Sequence, residues 1–123
     1  MELQTKLIHD GQKNASLQVT GWAPFTWTVL LDVDKMDPRP RDIRLDAVYY
    51  CMSDKTEIQL AWGSNTDGGR MPFLPLGGRG RIDFAEVSGL HNMSSDPSGH
   101  IDIQAFGEGL FTVVLDLSKH IGN

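Results

Sequence analysis

The chain of 123 residues holds a single cysteine, Cys51, so no internal disulfide can form. Small secreted domains often depend on several disulfides, and the sequence points instead to folding in a reducing cytosol. Long apolar runs are also missing. The longest, Thr28-Val29-Leu30-Leu31, is strand-sized and far short of the ~20 residues a membrane-spanning helix needs. The segment Met1-Glu2-Leu3-Gln4-Thr5-Lys6 lacks the apolar stretch of a secretory signal, so none is expected. Positive charge is scarce: 11 Lys and Arg stand against 16 Asp and Glu, a net charge of −5. Affinity for nucleic acid or an anionic membrane needs clustered cations, so neither is an expected partner. Helical periodicity is almost absent, with no long stretch of apolar residues at i, i+3, i+4 and i+7.

What is present is an ordinary globular composition, 40% hydrophobic and 22% charged, enough for one domain over residues 1–123 with a real core. Apolar residues recur with period two. Leu17 and Val19 alternate, as do Ile58, Leu60 and Trp62, then Ile101, Ile103 and Ala105, then Phe111, Val113, Leu115 and Leu117. In the strongest segment, Ile43, Leu45, Ala47, Tyr49 and Cys51 share one face, and Arg44, Asp46, Val48, Tyr50 and Met52 the other. That strand reads as apolar on both faces, hence central in a sandwich or covered by a second chain. Turn residues separate the segments. The short links at 52–56 and 106–110 predict hairpins, and 83–89 predicts one helical turn. Two prolines stiffen the 37–41 connection. The expected fold is all-β: an antiparallel β-sandwich, jelly-roll-like, of eight or nine short strands, with a small closed β-barrel as the alternative.

No motif marks an enzyme, and no cofactor or metal is expected. Cys51, read as mid-strand on the apolar face, is expected to be buried and inert. None of His9, His91, His100 and His120 lies at a metal-site spacing. His100 and Asp102 share a strand face, but two ligands are too few for a metal site. The loop 65–69 lacks the carboxylates of a calcium loop. Gly77-Gly78-Arg79-Gly80-Arg81 matches no phosphate-binding pattern. Ser94, Ser95 and Ser118 lack a nucleophile-elbow context. Asp32 and Asp34 read as solvent-facing. Aromatics are more informative: Trp22, Trp27, Tyr49, Tyr50 and Trp62 all lie in or beside strands. Met71-Pro72-Phe73-Leu74-Pro75-Leu76 is apolar, and its prolines suit an edge strand or an extended arm.

The order of segments is itself distinctive. Lys6-Leu7-Ile8-His9-Asp10-Gly11 leads to Leu17-Gln18-Val19-Thr20-Gly21, then the long strand over 43–50, then Ile58-Gln59-Leu60-Ala61-Trp62. Ile82-Asp83-Phe84, Gly89-Leu90 and Gly99-His100-Ile101-Asp102-Ile103 follow, and Phe111-Thr112-Val113-Val114-Leu115-Asp116-Leu117 closes the series. This order resembles small β-rich virion proteins of tailed bacteriophages, of the capsid decoration or cement kind. The resemblance implies a structural protein that binds the major capsid protein or other virion proteins as a homo-oligomer, dimer or trimer, assembled in the host cytoplasm. A neck or tail component and a glycan-binding β-sandwich module are the alternatives. The residues expected at interfaces are Tyr50, Met52 and Trp62, for core or oligomer contacts, and Met71, Phe73, Leu74, Arg79 and Arg81 toward a capsid.

Overall fold

Two long strands organise the molecule. The computed structural model describes residues 3–65, 69–93 and 97–120. Strand β1 covers Leu3–Asp10, β2 Asn14–Asp32, β3 Asp42–Met52 and β4 Thr56–Ser64. Strand β5 covers Arg70–Gly77, β6 Arg79–Asp83, β7 Leu90–His91 and β8 Pro97–His120. Short 3-10 turns occupy Val33–Lys35 and Ala85–Val87, the second inside the segment expected to turn once.

β2 and β8 run for 19 and 24 residues and pair antiparallel from Asn14↔Ser118 to Asp32↔His100. Their ribbon bends near residues 23–25 and 107–109, so each strand serves two layers. Layer one runs β1, the first half of β2, the second half of β8, β3, then β6 and β7. Layer two runs the second half of β2, the first half of β8, β4, then β5. With each half counted as a strand, these are the two interleaved Greek keys of a jelly roll. The fold is an all-β antiparallel sandwich. Its edges at β1, β5 and β6 are open, which sets aside the closed barrel.

The core lies between the layers. Leu17, Val19, Leu45, Val48, Phe111, Val113, Leu115 and Leu117 of layer one meet Leu30, Leu31, Ile58, Leu60, Trp62, Ile101 and Ile103 of layer two in one buried cluster. Gly21 is part of this packing: a Cβ there would lie 2.5 Å from the Phe111 ring. β5 pairs with β4 alone, so Pro72 and Pro75 sit on an edge strand as their missing donors require.

Three expectations need correction. The 106–110 link is a bend within β8, not a hairpin. Gly107 and Gly109 take φ of +86° and +137°, which turns the strand from one layer into the other. In β3 the alternation breaks at a bulge between Leu45 and Ala47, where Asp46 is the extra residue. Ile43 and Leu45 face inward before it, and Val48, Tyr50 and Met52 after it. The strand therefore has one apolar face, not two. For the same reason Cys51 is exposed rather than buried, and Tyr49 points outward beside it.

Candidate functional site

The bend in β2 and β8 gives the sandwich a closed corner and, opposite it, an open end. At the corner, backbone hydrogen bonds stitch the β3–β4 turn to β8: Glu108 N–H donates to the Lys55 carbonyl (3.1 Å), and Ser53 N–H to that of Leu110 (3.1 Å). Trp22 and Leu110 are direct cross-strand partners on the outer face of layer one beside this corner, each 52% exposed. They follow from the alternation, since their neighbours Gly21, Ala23 and Phe111 turn inward. Phe106, just before the bend, is exposed on the other layer.

The eight residues expected at interfaces fall into two groups. Met52 and Trp62 lie in the chain's own core, and Tyr50 is half-buried against it. Trp62 stacks on Phe73, ring centroids 4.4 Å apart. Met71, Phe73 and Leu74 are half-buried on β5. Arg79 and Arg81 are exposed on β6. Strands β5 and β6 are the edges of the two layers and join through Gly78, so the apolar arm and the arginines share one flank. Arg81 lies over the Tyr49 ring (5.1 Å) and bridges to Asp83 (2.9 Å). Tyr49 and then Asp83 hold its guanidinium more firmly protonated. The Ala85 N–H and Arg81 hold the Asp83 carboxyl below its usual range.

A second constellation spans the outer face of layer two. Asp102 points outward from β8, yet its side chain is only 8% exposed. Arg70, at the start of β5, reaches it across β4 with Nε 3.2 Å from Oδ2. The path is clear because the β4 residues beneath are small: Gly63 is the partner of Arg70, and Ala61 the partner of Asp102. The guanidinium also lies over the Trp27 ring of β2, 5.2 Å from its centroid. Asp102 Oδ1 is buried with no hydrogen-bond partner among the described residues, a state that costs about 1–3 kcal/mol unless a donor arrives. Beside it, Gln104 Nε2 donates to Gln59 Oε1 (3.3 Å) across β8 and β4. Sequence reasoning marked Trp27 and Asp102 separately and missed Arg70. The small residues Ala61 and Gly63 in an otherwise bulky strand were the available signal.

The open end adds side-chain charge to backbone bonds from the Arg41 N–H to the His120 carbonyl (2.7 Å) and from the Lys119 N–H to the Lys13 carbonyl (2.7 Å). Lys119, whose side chain is fully buried, pairs with Asp10 and donates to the Pro38 carbonyl (3.1 Å). The Asp37 N–H donates to the other Asp10 oxygen (2.9 Å). Burial pushes the Asp10 carboxyl upward, but Lys119 and the Asp37 amide outweigh it and hold it below its usual range. His100 faces Asp32 (3.4 Å), and His120 faces Asp42 (3.6 Å). His91 and His120 line a groove of about 830 Å³; His91 and His100 line an adjoining cavity of about 100 Å³ above Trp62. No group of three or more metal-ligating side chains forms among the described residues. Asp32 accepts from Asp34 N–H (2.9 Å), a turn-capping role, and Asp34 pairs with Arg39. Residues 66–68 of the 65–69 loop, with Ser94 and Ser95, lie outside the described residues.

No family model matches the chain, and no curated protein matches it. Among solved structures it is similar to peruvianin-I, a cysteine peptidase from Thevetia peruviana latex, at 13% identity and TM-score 0.46. That match covers 95% of this chain and 61% of the peptidase. It is also similar to TmCBM61, solved in complex with β-1,4-galactotriose, at 11% identity and TM-score 0.37, covering 98% of this chain and 82% of that one. Likenesses this distant carry no argument about what the chain does.

Proposed function

We propose that the protein is a virion structural protein of a tailed bacteriophage, a decoration subunit that binds major-capsid subunits as a homo-oligomer. The observation that carries this reading is the Trp22–Leu110 pair, two large apolar side chains placed opposite each other and left in water. A central aromatic anchor ringed by polar residues is how protein interfaces concentrate their energy, and Thr20 and Thr112 form the adjacent cross-strand pair. Stable interfaces bury about 1,200–2,000 Å² in total, so the pair is the centre of a larger contact. The choice of a capsid as the partner comes from the resemblance of the segment order to small phage virion proteins. The jelly roll is compatible with it but hosts lectins and enzymes as well.

In this reading the β5–β6 flank, with Met71, Phe73, Leu74, Arg79 and Arg81, meets the capsid. The test is co-sedimentation with empty capsids, alongside light scattering to establish the oligomer. Arg79→Glu with Arg81→Glu is expected to leave folding intact and lower capsid occupancy. A chain that stays monomeric and never pellets with capsids defeats the proposal. One that pellets only with isolated neck or tail assemblies moves the site of action to the head–tail junction.

A further inference from the structure

We propose that the outer face of layer two binds a neutral oligosaccharide laid across its strands, with Trp27, Gln104, Gln59 and Asp102 as the recognising groups. The proposal stands on this face alone and does not rest on the capsid reading. Thr26 and Trp27 sit in the bulge of β2 opposite Gln104, whose partner on β4 is Gln59, whose partner on β5 is Pro75. That row crosses four strands. At the usual strand spacing of about 4.8 Å it is roughly 14 Å long, a track for a short oligomer rather than one sugar.

The chemistry selects the ligand class. The Trp27 ring is half-buried with the Arg70 guanidinium over one face; its exposed remainder is apolar surface of the kind that packs against the C–H face of a pyranose. The bond between Gln59 and Gln104 uses one donor and one acceptor. Whichever way the two amides turn, each pair of planar groups keeps further donors and an acceptor for hydroxyls. The Arg70–Asp102 bridge cancels its own charge, so the face attracts neither a cation nor an anion. What it lacks is one hydrogen-bond donor. Asp102 Oδ1 is enclosed and unpartnered among the described residues, in a side chain more than nine-tenths buried. Only a ligand rich in hydroxyls, uncharged and flat on one side satisfies all three conditions. Arg70 keeps its 3.2 Å bond to Oδ2, so the carboxylate stays neutralised while a ligand hydroxyl donates to Oδ1.

The test is titration of the purified protein with a panel of neutral hexose oligomers of differing linkage, read by tryptophan fluorescence and by amide NMR shifts. Acidic oligomers, uronate- or sialate-containing, serve as comparison probes. The expected result is saturable binding of at least one neutral oligomer, with shifts mapping to residues 27–29, 59–61 and 102–104. Trp27→Ala and Gln104→Ala should each weaken it by about tenfold or more, and Trp22→Ala should leave it unchanged. Gln104 lies on the surface, so its variant keeps the test meaningful if Trp27→Ala fails to fold. Binding only of acidic oligomers, binding that survives both variants, or no response to any neutral oligomer overturns the proposal. So does a change in oligomeric mass on Gln104→Ala, which would make this face a contact between copies of the chain.

Discussion

The corner and the open end of the sandwich are held by different forces. At the corner the chain is fixed by backbone bonds and by the uncharged hydroxyls of Ser53 and Thr56, which donate to the Glu108 carbonyl. Gly107 lies so close to the β3–β4 turn that a Cβ would sit 1.6 Å from the Lys55 carbonyl oxygen, and one on Gly109 would sit 2.1 Å from Ser53 Oγ. Nothing ionic takes part in that fit, which leaves the nearby outer surface free to carry Trp22 and Leu110. At the open end, three pieces of chain distant in sequence are joined through the side chains of two of them: Asp10 at the end of β1, the 33–41 connection, and Lys119 near the end of β8. Steric fit responds to volume and is indifferent to pH. A charged latch responds to pH and to the loss of either partner. The same fold therefore has one end that tolerates no added atom and one that tolerates no lost charge.

The largest expected effect tests the corner. Gly107→Ala combines a positive φ with a clash against backbone, which cannot yield as a flexible side chain can. It should cost at least about 4 kcal/mol, at the severe end for point substitutions. Gly78→Ala is the control. Gly78 also has a positive φ, +72°, but nothing lies within 4 Å of its added Cβ. Only the conformational strain of about 1–2 kcal/mol remains. Urea denaturation of both variants measures the difference, and equal losses would mean that close packing does not fix the corner.

Next in size is the latch. Lys119→Met keeps the buried stem and removes the charge, leaving the Asp10 carboxylate half-enclosed without its cation. The expected loss is about 3 kcal/mol, and Asp10→Asn in the same chain should restore part of it. The acid limb of the stability curve follows from the same pair. Folding lowers the Asp10 pKa from its ordinary 3.8. The contribution is therefore complete above that value and lost as pH falls through the lower folded value. Wild type should lose stability across that window, and Lys119→Met should lose less. If both show the same acid slope, the latch is not what titrates.

How far the sequence foretold these ends depends on what local pattern can encode. The unbroken alternation of Phe111, Val113, Leu115 and Leu117 placed all four inside, and they are there. The sandwich class was legible because turn residues punctuate the strands. The same alternation misread β3, because a bulge adds one residue and leaves no mark on composition. Everything after Asp46 then changes sides, which took Cys51 out of the core and cancelled the supposed second apolar face. Gly107-Glu108-Gly109 has the composition of a hairpin turn. Only the partners of β8 on either side reveal a strand passing from one layer to the other. The Arg70–Asp102–Trp27 constellation was beyond local reading for a related reason. Three strands carry these residues to one face, and the register that aligns them is a property of the whole sheet.

The smallest expected change in stability belongs to the corner's outer surface, and it is the most informative about function. Trp22 and Leu110 stand half in water, so folding removes only about half of their area. Trp22→Ser with Leu110→Ser should lower the unfolding free energy by about 2 kcal/mol, the transfer value of the half of their apolar area that folding buries. If the pair is the centre of an interface, the same double variant should abolish the oligomer, because losing a central anchor costs far more than losing rim contacts. Light scattering and thermal unfolding on one sample separate the two readings. A drop to the mass of one chain with no more than that modest loss of stability assigns the pair to assembly. An unchanged oligomeric mass removes the pair from any interface. A loss of several kcal/mol shows instead that it holds the corner together, and the contrast between a rigid backbone corner and its free outer surface would then fail.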